Sequence, residues 1–388
     1  MVRRIRSVLM RGGTSRGLFF HERDLPGDPN LVERILLAAY GSPDPFRRQT
    51  DGVGGGTSQT SKAAIIRPAA AAGYDVVYRF GQVAIDRPEV DFRGNCGNLS
   101  AAVGPFAVDE GLLPAVEPLT RVRIHQENTD TLIVAEVPVR DGRFLETGAF
   151  EIDGVPFPGS RIRLHFVRPE GAVTKALFPT GARQDRFTLP GGKPIAATCL
   201  DAANPFVFVR ADALGVPGAE IEPFERNAAL GEALETVRRQ AAVAMGIASS
   251  LEEAGRLNQA VPKVATVGPP ADYVALNGRP VVAGEITLVA RMMSMGSLHR
   301  AYAVSGAIAT AGAARIPGTV VSEVARMAAE DPARVVIGHP SGRIEAEARI
   351  AETAGGIVYE EGVVGRTARR LMEGFVLVPE RLFTEEQA

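Results

Sequence analysis

A thiol stands in the run Asp91-Phe92-Arg93-Gly94-Asn95-Cys96-Gly97-Asn98, directly before a small-residue helical pattern that opens at Leu99. A helix start presents unpaired N–H groups and a partial positive charge, which lower a thiol's pKa and attract carboxylates. Cys96 could therefore act as a thiolate, an acid/base group or a nucleophile; a small buried core residue is the other common fate of a lone Cys. The flanking Gly94, Asn95, Gly97 and Asn98 point away from packing, because these residue types serve tight turns and exposed backbone. An esterase-type nucleophile elbow would need glycine where Asn98 stands, and no His lies nearby in the sequence.

A second run, Thr50-Asp51-Gly52-Val53-Gly54-Gly55-Gly56-Thr57-Ser58-Gln59-Thr60-Ser61-Lys62, is dense in amides and hydroxyls and ends in a Lys before the apolar Ala63-Ala64-Ile65-Ile66. A phosphate-binding Walker loop has Gly directly before its Lys and Ser or Thr directly after, whereas here Ser61 precedes and Ala63 follows. A Lys beside a buried strand can lose affinity for its proton through desolvation, and only then is it a competent base near neutral pH. The alternative is a Lys snorkelling outward at a strand edge. Two further runs are less specific. Arg11-Gly12-Gly13-Thr14-Ser15-Arg16-Gly17, between strand-like segments, offers hydroxyls and amides to a carboxylate or forms a plain hairpin turn. Asp201-Ala202-Ala203-Asn204-Pro205 either aims the Asn204 amide at a ligand or simply turns the chain.

These loops need elements to hold them. Val76–Phe80, Arg121–Ile124, Thr131–Val137, Phe206–Val209, Ile286–Val289 and Arg334–Ile337 read as strands. Helical patterns are fewer: Pro29 to Tyr40, Leu99 to Glu110 with Pro105 as a kink or early stop, Arg226 to Gln259, Ala307 to Ala314 and Val321 to Ala328. The mixture predicts an α+β fold. A polar, turn-rich stretch from Pro179 to Pro194 marks a boundary between domains of residues 1–185 and 186–388. Each half leads a loop into a helix of small residues, Leu99 to Gly104 in the first and Ala307 to Ala314 in the second, the latter preceded by His299 and Ser305-Gly306. Helices without a polar face should be enclosed, so two related domains are expected, each wrapping strands around a buried helix.

Composition closes off other classes. A chain of 388 residues is longer than one core usually grows. Basic and acidic residues nearly cancel, 43 against 45, so no electrostatic footprint for nucleic acid or an anionic membrane exists. No apolar run is long enough to span a bilayer, and a cytoplasmic location is expected. Cys96 and Cys199 are expected to remain unpaired in such a compartment. The five His residues show neither an i,i+4 pair nor carboxylates at ligand spacing, so no metal site is expected, and no dinucleotide fingerprint follows any strand.

Taken in order, Met10-Arg11-Gly12-Gly13-Thr14-Ser15, the Gly-rich run ending at Lys62, Gly94-Asn95-Cys96-Gly97-Asn98 and Ala314-Arg315-Ile316-Pro317-Gly318-Thr319 resemble the methylaconitate isomerase family over essentially the whole chain. That family also includes methylitaconate isomerases, aconitate isomerases and oxalomesaconate tautomerases. More remotely the chain is similar to diaminopimelate epimerase. That resemblance implies two pseudo-symmetric domains, each a barrel-like sheet around a central helix, with the active site in the cleft between them. It also implies that the last strand, near 374–379, returns to the first domain.

The resemblance implies cofactor-independent 1,3 proton transfer on a small unsaturated di- or tricarboxylate, with Lys62 and Cys96 as the catalytic pair. It matches Ser15 and His299 to assisting positions, and the loops and helix mouths add Thr57, Ser58, Asn95, Gly97, Asn98, Asn204, Ser305 and Gly306 as candidate substrate-binding residues. Neither a nucleic-acid nor a membrane partner is expected, and a homo-oligomer is compatible with the reading. The epimerases use one cysteine at each helix mouth; here the second mouth carries Ser305-Gly306-Ala307, which disfavours a two-thiol stereoinversion. A non-catalytic accessory protein to an iron-sulfur dehydratase, and a racemase or epimerase, are the alternative readings.

Overall fold

The computed structural model describes residues 1–71, 73–256, 261–294 and 296–384. The chain divides into two compact units: one holds residues 1–151 and 157–164 together with the chain from 366 onward, the other residues 152–156 and 165–365. The expected break after 185 is displaced upstream, because residues 165–185 are tied to the second unit's strands. Asp201 accepts from the Val173 and Thr174 amides at 2.8 and 2.7 Å, and Asp185–Thr188 pairs with Pro194–Asp201.

The first unit is built on β1 (Val2–Gly12), β2 (Ser15–His21), β3 (Lys62–Pro68), β4 (Val76–Val83), β5 (Val90–Asp91), β6 (Leu119–Gln126) and β7 (Thr131–Arg140). The closing strand Ala368–Pro379 lies antiparallel along β1, from Val2 opposite Pro379 to Gly12 opposite Ala368. From there the pairing runs β1, β2, β3, β4, β6, β7, with parallel joins between β2 and β3 and between β4 and β6. Buried positions alternate with mostly exposed ones in β6 and with half-buried ones in β7, as expected where one sheet face is packed more closely than the other.

Helix α1 (Pro29–Tyr40) covers one face. Its start is set by Asp28, which accepts from the Asn30 amide, with Pro29 in the first turn, and its end by Gly41 at φ 67°. Val32, Ile35, Leu36 and Ala39 bury against Leu18, Phe20, Ala63 and Ile65. The other face encloses α2 (Gly97–Ser100) and α3 (Val103–Asp109). Phe106 of α3 packs on Phe19 of β2 with ring centroids 5.7 Å apart, while a Cβ on Gly104 would meet Val137 of β7 at 2.6 Å. Strands distant in pairing order thus touch one helix, so the sheet curls around it. The helix expected from Leu99 to Glu110, with a kink or early stop at Pro105, is interrupted at Ala101 and Ala102. Pro105 explains the break: continued helix would drive its ring into the Ala101 carbonyl four residues back, and restarting at Val103 puts the missing N–H in a first turn.

The second unit repeats the plan. Strands Pro194–Asp201, Pro205–Arg210, Lys263–Gly268, Leu288–Ser294, Arg334–His339, Gly342–Thr353 and Gly356–Arg366 pair in that order. Helix Ala228–Ala244 packs its apolar stripe outside, and helix Val304–Arg315, buried from Val304 to Ala314, lies inside. Two helical expectations need correction here. Arg226 to Gln259 is three helices, Glu222–Arg226, Ala228–Ala244 and Leu251–Arg256, because the Asn227 side chain caps the Leu230 amide and Gly246 takes φ 71°; Gln259 lies outside the described residues. Val321 to Ala328 is a series of turns: Thr319 accepts from the Ser322 amide, and the Arg326 amide donates to the Thr287 carbonyl.

Candidate active site

Cys96 is the N-cap of α2, where its Sγ accepts from the Leu99 amide at 3.5 Å and its carbonyl accepts from the Ser100 amide at 2.9 Å. Because α2 is only four residues long, the field expected of a helix start reduces to such individual N–H donors. The thiol donates toward the Ser15 hydroxyl, 3.8 Å away. Within Gly94 to Asn98 the other four residues are buried, so the half-buried Cys96 is the one that reaches outward. Asn95 accepts from the Ser100 hydroxyl at 3.4 Å. Asn98 seats the β1–β2 turn, accepting the Thr14 amide at 3.3 Å. That approach requires glycine at two positions: a Cβ on Gly12 would lie 2.5 Å from the Asn98 carbonyl oxygen, and one on Gly13, at φ 50°, 2.1 Å from its Oδ1. The Gly-Gly-Thr-Ser segment is therefore a hairpin turn that also positions Ser15 against Cys96.

Lys62 opens β3, opposite Gly17 of β2 on one side and Gln82 of β4 on the other. It is buried, and its Nζ donates to Gln82 Oε1 at 2.5 Å and lies 5.1 Å from the Phe80 ring centroid. This is not a snorkelling surface lysine. Its backbone carbonyl accepts from the Tyr40 hydroxyl. Upstream, Gln49 pins the Gly-rich run: its Oε1 accepts from the Gly56 amide at 3.0 Å and the Ser61 hydroxyl at 2.6 Å. Thr57 is exposed, its hydroxyl 2.8 Å from that of Thr60, and Ser58, half-buried, turns its carbonyl to Gln82.

Strand alternation puts Ser15 and Gly17 on one face of β2, and register aligns Gly17 with Lys62 and Lys62 with Gln82. Ser15 and Lys62 are then about 8 Å apart at their Cα atoms, from two residues of rise and one strand spacing. Cys96, Ser15, Lys62, Phe80 and Gln82 accordingly group on the face that encloses α2. Tyr78, on the same face of β4, is fully buried, and burial pushes its phenol well above the ordinary range. Gln49, Tyr78 and Gln82 carry no local motif; the antiparallel β3–β4 register is the signal that would have found Gln82.

In the second unit, Asp201 to Pro205 turns one strand into the next, with Ala203 at φ 60°. The Asn204 Nδ2 donates to the Ser305 hydroxyl at 3.3 Å, so the amide serves the fold as well as turning the chain. Ser305 and Gly306 lie in the first turn of helix Val304–Arg315, both buried, and a Cβ on Gly306 would meet the Phe206 ring at 3.0 Å. His299 is buried, its Nδ1 accepting from the Ala301 amide at 3.2 Å. Asn204, Ser305 and Gly306 thus share one helix mouth, and His299 lies in the loop that leads into it. Both cysteines are free; Cys199 sits in the core under helix Ala228–Ala244, where burial, then the Asp185 carboxylate, push its thiol well up. Among the described residues no group of three or more His, Cys, Asp or Glu could hold a metal ion, and no helix is long and apolar enough to cross a membrane.

Comparison with known proteins bears on these groupings. The model of the PrpF protein family matches residues 2–379. The chain is 41% identical to a 2-methyl-aconitate isomerase from Shewanella oneidensis, covering 97% of each chain. It is 38% identical to a 4-oxalomesaconate tautomerase from Pseudomonas putida, covering 97% of this chain and 96% of that one. The crystal structure of a methylitaconate-delta-isomerase superposes with a TM-score of 0.80 at 40% identity, over 99% of this chain and 98% of that one. A hydroxyproline epimerase from Agrobacterium vitis, 12% identical, superposes with a TM-score of 0.57 over 98% of this chain and 94% of that one, which shows a shared epimerase-like α+β fold. With a family match across nearly its whole length and full-length relatives at about 40% identity, the chain belongs to the PrpF protein family and is an isomerase.

Proposed function

We propose that this isomerase acts on a small unsaturated di- or tricarboxylate, moving a proton between the two ends of an allylic system without a cofactor. The observation that carries the reading is the placement of an amine and a thiol, Lys62 and Cys96, on one face of one sheet with Ser15 beside the thiol. Relatives named for methylaconitate, methylitaconate and oxalomesaconate supply the substrate class. A C–H between carboxylates and a double bond yields a dienolate on deprotonation, and a neutral Lys62 amine is a suitable base. The negative charge that develops on the carboxylate oxygens is met by backbone N–H groups of Gly97 and Asn98 and by the hydroxyls of Ser15, Thr57 and Ser58, with Asn95 holding the loop. Cys96, or Lys62 itself, returns the proton to the far allylic carbon. Asn204, His299, Ser305 and Gly306 are assigned to substrate carboxylates, on the family resemblance and on their placement at and before one helix start. A cytoplasmic location accords with two free cysteines and a metabolic acid as substrate.

The test is isotope exchange. 2-Methylaconitate, 3-methylitaconate and 4-oxalomesaconate are incubated with the enzyme in deuterated buffer, and methyl and methylene signals are followed by NMR for the unsubstituted enzyme, Lys62→Ala and Cys96→Ser. Exchange at both allylic carbons, lost by at least a hundredfold in Lys62→Ala and strongly reduced in Cys96→Ser, is expected. Full activity in Lys62→Ala sinks the assignment; exchange confined to a stereocentre would instead mean a racemase or epimerase, and binding without any exchange an accessory protein.

A further inference from the structure

The buried amide next to Lys62 has no role in the reaction as described above. Gln82 is 6% exposed and stands opposite Lys62 in the β3–β4 register. Its Nε2 donates to the Ser61 carbonyl at 2.9 Å and to the Ser58 carbonyl at 3.3 Å, two groups that can only accept. Turning the amide over would break both bonds and set an NH2 against the lysine. The side-chain carbonyl is therefore held at Nζ, 2.5 Å away. Among the described residues the amine's partners are this carbonyl and the Phe80 ring, and no carboxylate is paired with it.

The choice of a neutral partner has a chemical consequence. A carbonyl oxygen accepts an N–H from an ammonium and, more weakly, from an amine, so the contact survives proton transfer in either direction. A carboxylate at the same point would form an ion pair with the charged form alone and hold the proton on. We propose that Gln82 is a positioning residue for Lys62: its fixed carbonyl aims the amine in both protonation states and leaves it free to exchange its proton with the substrate. The proposal rests on Lys62 being the base.

The experiment measures kcat and KM against pH for Gln82→Glu, Gln82→Met, Lys62→Ala and the unsubstituted enzyme, using the fastest-exchanging acid of the screen above. Circular dichroism checks that each variant is folded. In Gln82→Glu the limb on which kcat rises with pH should move up by about one to three units, the size of shift an adjacent opposite charge produces. Below the original limb kcat then falls about ten- to a thousandfold and recovers at higher pH, with KM within about twofold. Gln82→Met, which offers no carbonyl, should lose kcat about tenfold or more at every pH with the limb not displaced upward. A merely structural role would lower thermal stability and leave the limb of Gln82→Glu where it was. A folded Gln82→Glu with an unmoved limb, alongside an inactive Lys62→Ala, overturns the proposal while sparing the role of Lys62; an active Lys62→Ala overturns both. If Gln82→Glu does not fold, Gln82→Met decides: kcat equal to that of the unsubstituted enzyme refutes the positioning role.

Discussion

Removing one oxygen atom from Tyr40 should be felt at Lys62. Tyr40 ends α1 with no exposed surface, and its hydroxyl accepts from the Leu18 amide at 2.8 Å while donating to the Lys62 carbonyl. The phenol thus bridges the first rungs of the parallel β2–β3 ladder, where Gly17 faces Lys62 and Leu18 faces Ala63. Burial pushes its ionisation far above the ordinary range, so it stays a neutral donor at any working pH. Tyr40→Phe keeps the ring packed among Ile35, Leu36, Leu18 and Ala63 and deletes only the bridge. Two buried backbone groups lose their partner, at about 1–3 kcal/mol each, so the cost is about 2–6 kcal/mol if both stay dry. Should β2 and β3 close up so that the two groups pair directly, the cost falls to about 1 kcal/mol, but the Lys62 backbone then moves and kcat falls instead. Urea unfolding followed by circular dichroism, hydrogen exchange of the Leu18 amide by mass spectrometry, and kcat in the exchange assay together cover both outcomes. An unchanged unfolding midpoint with unchanged Leu18 protection and unchanged kcat would refute the bridge.

Two further substitutions probe the same scaffold. Gly17→Ala would place a Cβ 2.1 Å from the Lys62 carbonyl oxygen and 3.3 Å from its Cβ; a loss of about 1–3 kcal/mol or more and of at least tenfold in kcat is expected, and a variant with native melting temperature and rate would contradict the register given for β2 and β3. Glu110, half-buried with its side chain 5% exposed, meets His21 Nε2 at 2.9 Å, Arg370 at 2.6 Å and Arg6 at 3.0 Å; burial raises its carboxyl, but the His21 and Arg370 bonds and the Arg370 and Arg6 charges outweigh it, and the net shift is downward. A depressed carboxyl stabilises fully above the unfolded value near about 4.3 and loses that contribution as pH falls through the folded value. Glu110→Gln should therefore be less stable than the unsubstituted enzyme at neutral pH, with the gap in urea midpoints closing in acid; a gap that does not change with pH counts against this.

The loops of the candidate site were legible because glycine, asparagine, serine and threonine cluster where backbone must approach something closely, and Gly12, Gly13 and Gly17 do so at 2.5 Å or less. The duplicated plan was legible because helices without a polar face have to be enclosed. What could not be read were contacts made by register. Lys62 meets Gln82 across twenty residues of sequence and Gly17 across forty-five, and nothing local in Phe80-Gly81-Gln82-Val83 or in the run ending at Gly17 names Lys62 as its neighbour. Boundaries failed where a single residue overrode periodicity, as Asn227 and Gly246 did in dividing the long outer helix; the interruption expected at Pro105 in the inner helix falls just upstream, at Ala101 and Ala102. The domain break shifted because the turn-rich stretch near 179–194, a linker by composition, is pinned through Asp185 and Thr188 into a strand pair.

Within the duplication the scaffold is repeated and the groups proposed to handle the proton are not. The first inner helix is capped by a half-buried thiol; the second carries Ser305 in its first turn, 1% exposed and bonded to Asn204. The other thiol, Cys199, pairs in register with Val207 and packs under helix Ala228–Ala244, on the face away from the second inner helix, where burial keeps it protonated. Inversion at one carbon calls for two acid/base groups on opposite sides of it, one from each repeat. Here the amine and the thiol both belong to the first unit and line one face of its sheet, an arrangement that suits taking a proton from one carbon and delivering it two bonds away. On the proposed assignment, an epimerase-like fold then carries a double-bond isomerase with a serine at the second inner helix and, in the first unit, a buried lysine with a neutral partner.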